Sequence, residues 1–377
     1  MATVRKRAWT APSGERKTAW MVDYTDSRGV RQRKNFPTKK AADAFRISVE
    51  GQLQAGTYRP DAGKLTVTQA CESFLAHCAG RHERDERMTR KMLVVYRGHI
   101  NNHILHPENG VGGWRLSQLT AKAVGEFRDR ARSAGVTVPT ARKVLATLHG
   151  VLEYARAQDW VATNAARGIK VIGPRNEGSE KIVPPSKAAM RAAIDAADED
   201  LRLKLVFAAS TGARAGEQWA ARWGDVDFVK GELHIRRRVD AYGEEGPPKS
   251  AAGVRTVPLS EQLVAVLKAW RVRSRFSRPE DLIFHNSQGG YVGHDNLIKR
   301  RFVPLLDAQG AQFNWHGLRH YAVSCWIEAG LPPKTVQTFA GHASLQVTMD
   351  RYGHLFPNDD HRRAMDQIAS GLFGERK

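Results

Sequence analysis

A chain of 377 residues with 41% hydrophobic content is long enough for two or three domains, each with its own core, and too apolar for general disorder. Its formal net charge of +20 and pI near 10.1 point to a polyanionic partner, nucleic acid first and an anionic membrane surface second. The opening MATVRKRAWTAPSGERK is polar throughout and no run approaches the ~18 apolar residues of a membrane helix, so neither a secretory leader nor a membrane span is expected. Cys71, Cys78 and Cys325 cannot pair completely and lack CxxC spacing, which fits a reducing, cytoplasmic setting. Cys71 and Cys78 lie one heptad apart in an apolar-periodic segment and read as core filling.

Residues 3–10, 17–24 and 30–36 have the pattern of three short strands, the second alternating around Trp20, Val22 and Tyr24, with Asp26-Ser27-Arg28-Gly29 as the turn to the third. Thr38 then caps a helix to about Gln54, with Ala41, Ala42, Phe45, Val49 and Leu53 roughly on one face. Residues 1–64 carry 14 Lys/Arg against 6 Asp/Glu. Arg31 and Arg33, two apart on a strand, share a face that could sit against DNA phosphates; the plainer reading is a solvated polar face.

The Pro- and Gly-bearing segment YRPDAG, 58–63, marks a first boundary. Beyond it only helices are expected. Thr66-x-x-Gln69 has the form of a capping box ahead of Ala70, Cys71, Phe74, Leu75 and Cys78, and helical periodicity recurs near 87–105, 119–133 and 139–158. GIKVIGPRNEGSEKIVPP, 168–185, is a second boundary. A mixed region follows: helices near 186–197, 200–209 and 215–222, strands around 225–237 and 253–259, and further helices including 260–274.

Within this region Ser210 to Glu217 (STGARAGE) ends one helix, turns on glycine and starts another. Arg214 is thereby aimed by a helix N-terminus, with Glu217 three residues on and able to orient it. PPKS at 247–250 precedes VRTVPL at 254–259, and two strand-like pieces around KSAAG suggest a hairpin carrying Lys249. The stretch 315–354 holds His316, Arg319, His342 and Tyr352, with His316 and Arg319 on one helical face. His316 and His320 stand at the i, i+4 spacing of a zinc helix. Position 317 is glycine instead of the glutamate a zinc protease needs, and no third ligand is evident, so no metal is expected. Gly63-Lys64-Leu65 lacks the rest of a P-loop, so no nucleotide cofactor is expected either.

The ordered set Arg214, Lys249, His316-x-x-Arg319, His342, Tyr352, carried on TGARAGE, PPKS, VRTVPL, HGLRH, AGHAS and MDRYGH, resembles the tyrosine recombinase, or phage integrase, family. The resemblance covers the whole chain. It implies a multidomain, mainly α architecture. A small three-stranded β-plus-helix arm-type DNA-binding domain would occupy 1–60, an all-α core-binding domain 64–170, and a mixed α+β catalytic domain 180–377. One departure is Ala340, where many relatives carry leucine; that position reads as packing.

Carried over residue by residue, the resemblance makes Tyr352 the nucleophile, giving a 3′-phosphotyrosyl link, and Arg214 and Arg319 the holders of the non-bridging phosphate oxygens. His342 adds a hydrogen bond to the same phosphate, His316 accepts the tyrosine proton, and Lys249 is the acid for the 5′-oxygen. Glu217 supports Arg214, and Tyr321 is a packing residue beside the site. No cofactor is implied. The implied partners are double-stranded DNA at core and arm attachment sites and three further copies in a tetramer, with room for a host DNA-bending protein and an excisionase. The setting would be the nucleoid of a bacterial cytoplasm. Segment 361–369 would be a closing helix, packed either in trans within that tetramer or on its own chain. A Xer-type dimer resolvase, a type IB topoisomerase and a catalytically silent DNA-binding accessory protein are the competing readings.

Overall fold

The structure, a computed structural model, describes all residues except 1, 11, 13–14, 27, 176–181, 357–364, 367, 371 and 373–377. It divides into two compact units, Met1–Arg175 and Asn176–Lys377.

The first unit opens with an antiparallel sheet in the order β1 (Thr3–Thr10), β2 (Arg16–Thr25), β3 (Arg31–Phe36). The turn between β2 and β3 is closed by the Asp26 carboxylate, which accepts from the backbone N–H of Arg28 at 3.0 Å and of Val30 at 2.9 Å. Helix α1 (Lys39–Gln54) starts at the Thr38 cap and lays Ala42 and Val49 on Val22 and Tyr24 of the sheet and on Ala2 just before it. Val22 and Tyr24, two apart on β2, share the face against α1, as period two requires; Asp23 between them is buried on the opposite face.

Four helices follow: α2 (Val67–Glu83), α3 (Arg90–His99), α4 (Ala121–Ser133) and α5 (Val138–Ala157). The Thr66–Gln69 capping box is present, with both reciprocal hydrogen bonds. Cys71 and Cys78 are buried in the shared core with Phe74, Phe127, Leu148 and Leu152. The helix expected from 87 begins at Arg90, because Arg87 takes a left-handed φ of 56° and Thr89 supplies the cap. It then widens into a π turn over Ile100–Ile104, which seats Ile100 and Ile104 in the core.

The second unit begins with α6 (Lys187–Ala196), α7 (Glu199–Thr211) and the short α8 (Ala215–Trp219). Strands β4 (Val226–Asp227), β5 (Glu232–Ile235), β6 (Arg238–Val239), β7 (Glu245–Gly246) and β8 (Arg255–Pro258) form two antiparallel sheets, β4-β5-β8 and β6-β7. This corrects the expected hairpin around KSAAG. Strand β7 pairs with β6 and β8 with β5, so the Lys249 segment bridges two sheets instead of capping one pair. Local alternation marks a strand but does not choose its partner.

Helices α9 (Glu261–Arg273), α10 (His294–Leu297), α11 (Val303–Ala308), α12 (Trp315–Glu328), α13 (Pro333–Ala340) and α14 (Leu345–Tyr352) complete the unit. One core gathers Phe207, Trp219, Trp223, Phe284, Phe302 and Leu318. A smaller one gathers Val323, Ile327, Val336, Ala340 and Tyr352, and it clamps α12, α13 and α14 together. Most of the closing helix expected over 361–369 lies outside the described residues. Among the described residues no helix is long and apolar enough to cross a membrane.

Candidate active site

Helix α7 ends on Gly212 in the left-handed region, φ 61°, where an added Cβ would come within 2.7 Å of the Trp326 ring. The chain then turns so that Arg214 is the N-cap of α8 and Glu217 its third residue. The Glu217 carboxylate accepts from the Arg214 backbone N–H at 2.9 Å and from its Nη1 at 2.8 Å. Glu217 is buried and also accepts from Arg255 Nη2 at 2.8 Å. Despite burial, which pushes a carboxyl pKa up, the charges and hydrogen bonds of Arg255 and Arg214 bring it down to about 2. Arg255 went unremarked in the sequence because an arginine in a short strand reads as solvent-facing; a charged residue on the inward parity of VRTVPL was the available signal.

Three arginines converge on one turn. The last carbonyls of a helix have no partners within it, and at the end of α13 three successive ones accept from three different side chains. Arg255 Nε donates to Phe339 O at 2.7 Å, Arg319 Nη2 to Ala340 O, and Arg214 Nη2 to Gly341 O at 3.2 Å. Arg319, on α12, is fully buried and also donates to Gly212 O at 2.7 Å, tying the two glycine turns together. Burial first, then Arg214 and Arg255, bring its pKa down to about 9, so it stays charged at neutral pH. Gly341 has φ 64°, and a Cβ there would meet Arg255 Nη1 at 2.9 Å and Ala252 O at 3.0 Å, so glycine is required in AGH. Ala340 is fully buried; its side chain packs and its carbonyl does the work.

The turn delivers His342 into the cluster. Its Nδ1 meets Thr348 Oγ1 at 2.9 Å, while Nε2 is buried with no hydrogen-bond partner. Burial, then Arg319, Arg214, Arg351 and Arg255, push the His342 pKa to about 3, so the ring is neutral. In the tautomer where Thr348 Oγ1 donates to Nδ1, the ring proton stands on Nε2 as an unused donor among cations. A buried donor left unpaired is costly, and an anionic oxygen would satisfy it.

Tyr352, at the end of α14, is 0% exposed. Its ring stacks on His342 with centroids 6.1 Å apart and planes 18° apart. Burial raises its pKa, against the pull of Arg319, Arg351 and Arg214. Its hydroxyl is 2.6 Å from Nδ1 of His320, a residue set aside in the sequence reading. His316 instead meets the His320 ring edge-on, centroids 4.7 Å apart. Loss of hydration, then His320 and the nearby arginines, take the His316 pKa to about 4.

Lys249 is exposed, and no hydrogen bond or ion pair is described for it. Arg31 and Arg33, in the first unit, do share a face, but both turn toward the buried Asp23, at 2.6 and 3.4 Å. Among the described residues no group of His, Cys, Asp or Glu is placed to hold a metal ion.

The profile of the phage integrase family matches residues 186–359, the segment that holds the whole arginine–histidine–tyrosine cluster. Residues 186–359 belong to the tyrosine recombinase, or phage integrase, family. The second unit carries a tyrosine-type site-specific recombinase catalytic domain. The XerC-like tyrosine recombinase of Caldanaerobacter subterraneus is 27% identical over 88% of this chain and 90% of its own. The integrase of Salmonella phage P22 is 23% identical over 96% and 92%. Among solved structures, the Tn1549 transposon integrase in complex with a circular intermediate DNA aligns at TM-score 0.64 and 16% identity, covering 81% of this chain and 100% of that one. A lambda integrase dimer bound to a core site aligns at 0.59 and 16%, covering 94% and 95%. The recombinase thus has the expected layout: an N-terminal three-stranded sheet, a helical segment and an α+β catalytic domain.

Proposed function

We propose that this recombinase is the integrase of a phage or other mobile element, which cuts and rejoins DNA through a 3′-phosphotyrosyl link within a tetramer. The observation that carries the reading is the buried, unpartnered Nε2 of His342 beside Arg214, Arg319 and Tyr352, a vacancy in hydrogen bonding suited to a phosphate oxygen. Arg214 and Arg319 neutralise the non-bridging oxygens and His342 donates to one of them, each contact worth on the order of 3 kcal/mol in a water-shielded site. Tyr352 attacks phosphorus, the bond to the 5′-oxygen breaks, and Lys249 gives that oxygen its proton. The exposure of Lys249 fits an acid that reaches the phosphodiester only when DNA is present.

The same reading assigns the arm sites to residues 1–60 and the core sites to 64–170 and 180–377. Arg31 and Arg33 keep 61% and 56% of their side chains exposed while Asp23 offsets one of the two charges, which leaves a net positive face for phosphates. The lambda integrase structures include a dimer bound to a core site and a tetramer bound to a Holliday junction, and the P22 relative spans nearly the whole chain. A Xer-type resolvase is the second reading, favoured by the XerC-like relative that also spans most of the chain.

A duplex nicked next to the cleavage site traps the intermediate. The wild-type protein is expected to capture the 3′-phosphate side of the break and to join two separate sites. Capture at the 5′ side, or relaxation of supercoils without site joining, counts against the proposal. On the same duplex Lys249→Ala is expected to lose about 10²-fold or more in rate, and to regain most of it when sulfur replaces the 5′-bridging oxygen, since thiolate leaves unprotonated. An unrescued variant would remove lysine from the role of acid.

A further inference from the structure

Among the described residues the hydroxyl of Tyr352 has one hydrogen-bond partner, and it is not the histidine that the family resemblance designates. His316 and His320 sit one turn apart on α12, four residues being close to one helical repeat. The side chain of His320 extends toward α14, and its Nδ1 lies 2.6 Å from Tyr352 Oη. His316 meets the ring of His320 edge-on, and among the described residues no hydrogen bond joins it to Tyr352. The phenol is otherwise enclosed by Val323, Ile327, Val336 and Ala340 and by the stacked ring of His342.

We propose that His320 is a catalytic residue of this recombinase, its Nδ1 taking the phenolic proton of Tyr352 as the Oη–P bond forms. The inference rests on Tyr352 being the nucleophile. In the step, Oη bonds to phosphorus and its proton passes to Nδ1, giving an imidazolium. The P–O5′ bond breaks, and the departing 5′-oxygen is protonated by the acid, Lys249 in the reading above. Rejoining runs the transfers backward: the 5′-hydroxyl attacks, and His320 returns its proton to the leaving phenol.

The charged and titratable groups around His320 favour this use. From its own helix it faces His316 and Arg319, and from α14 Arg351 and Tyr352. Beyond the phenol lie His342 and, from α8, Arg214. Burial, then Arg319 and Arg351, lower its pKa, so at neutral pH the ring is uncharged and Nδ1 can accept. Among the described residues no carboxylate acts on it, and Glu217 is committed to Arg214 and Arg255. Holding an imidazolium among arginines is unfavourable, but it coincides with the phosphate gaining its fifth oxygen and its greatest negative charge.

Single-turnover capture on the nicked duplex, followed from pH 6 to 9, tests this. Asparagine places an oxygen near the position of Nδ1, so His320→Asn keeps an acceptor for the phenol but cannot carry its proton. The wild-type rate is expected to be level from about pH 7 upward. His320→Asn is expected to fall on the order of 10²-fold at pH 7 and to climb about tenfold per pH unit, because solvent must then ionise the phenol. His320→Ala is expected to be rescued by added imidazoles in proportion to their basicity, a response that a merely structural role does not give. A level profile in His320→Asn, or absence of imidazole rescue in a variant that still binds the duplex, overturns the proposal. A climbing profile in His316→Gln with a level one in His320→Asn gives the role to His316. Peptide mapping of the wild-type adduct separates failure here from failure of the underlying reading: an adduct on a residue other than Tyr352 rejects the nucleophile itself.

Discussion

Tyr352→Phe is expected to abolish covalent capture of the nicked duplex while leaving affinity for that duplex within about twofold. The structure explains both halves. Phenylalanine keeps the stack on His342 and the packing against Val323, Ile327, Val336 and Ala340. What it removes is one oxygen and the 2.6 Å hydrogen bond to His320. Leaving Nδ1 unpaired costs on the order of 1 kcal/mol, too little to unfold the domain. With the oxygen gone there is no atom at that position to bond phosphorus, so the loss is total, beyond the partial loss typical of a lost general acid or base. A denaturing gel of labelled duplex, beside a native gel for binding, checks both. Persistent adduct in Tyr352→Phe would transfer attention to Tyr321. That residue is a poor candidate: burial and a hydrogen bond with Cys325 push its pKa to about 12, and its ring packs on the main core of the second unit.

Local rules carried the element boundaries well. Thr38, Thr66, Ser186 and Ser260 cap the helices expected after them, because a side-chain oxygen bonding an N–H three residues on is fixed within four residues of chain. The motif residues of the second unit were equally readable, and the fold gathers Arg214, Arg319, His342 and Tyr352 around one glycine turn. What was not readable depends on contacts distant in sequence. His320 looked dispensable beside Arg319 because nothing local says that α14 will return its last residue to α12. Arg255 stands 84 residues from the carbonyl it holds at Phe339. The partner exchange among β5 to β8 belongs to the same class, since strand pairing is decided by packing that a short alternating run does not encode.

The three arginine–carbonyl contacts also explain why a site for an anion can exist preformed. Arg214, Arg255 and Arg319 would repel one another if left unpaired in a space shielded from water. Each carbonyl at the end of α13 offers partial negative charge, and the helix end concentrates it. Partial charges position the guanidinium groups without neutralising them. One full negative charge, Glu217, stands between Arg214 and Arg255. The result is a cluster of three cations and one carboxylate, whose surplus positive charge acts on His342 and Tyr352.

Glu217 is therefore expected to have the largest effect on stability of any residue in the cluster. Removing one member of a buried ion pair costs about 3–5 kcal/mol, here by leaving Arg255 with a charge and no counter-ion. For a domain of this size Glu217→Leu should lower the melting temperature by roughly 6–20 °C. Glu217→Gln is the sharper variant. Its amide oxygen can still accept from Arg214, but its NH₂ would face Arg255 Nη2, donor against donor, where the carboxylate accepts at 2.8 Å. The effect should also depend on pH in a defined direction. A carboxyl whose pKa falls from 4.5 unfolded to about 2 folded stabilises the fold above pH 4.5, and the contribution is lost as pH drops from there toward 2. That shift corresponds to about 3 kcal/mol. Calorimetry of the full chain should show the wild type well above Glu217→Gln at pH 7, with the gap narrowing steadily below pH 4.5. Equal melting at pH 7, or a gap that widens in acid, would mean that the Glu217 charge does not hold the arginine cluster together.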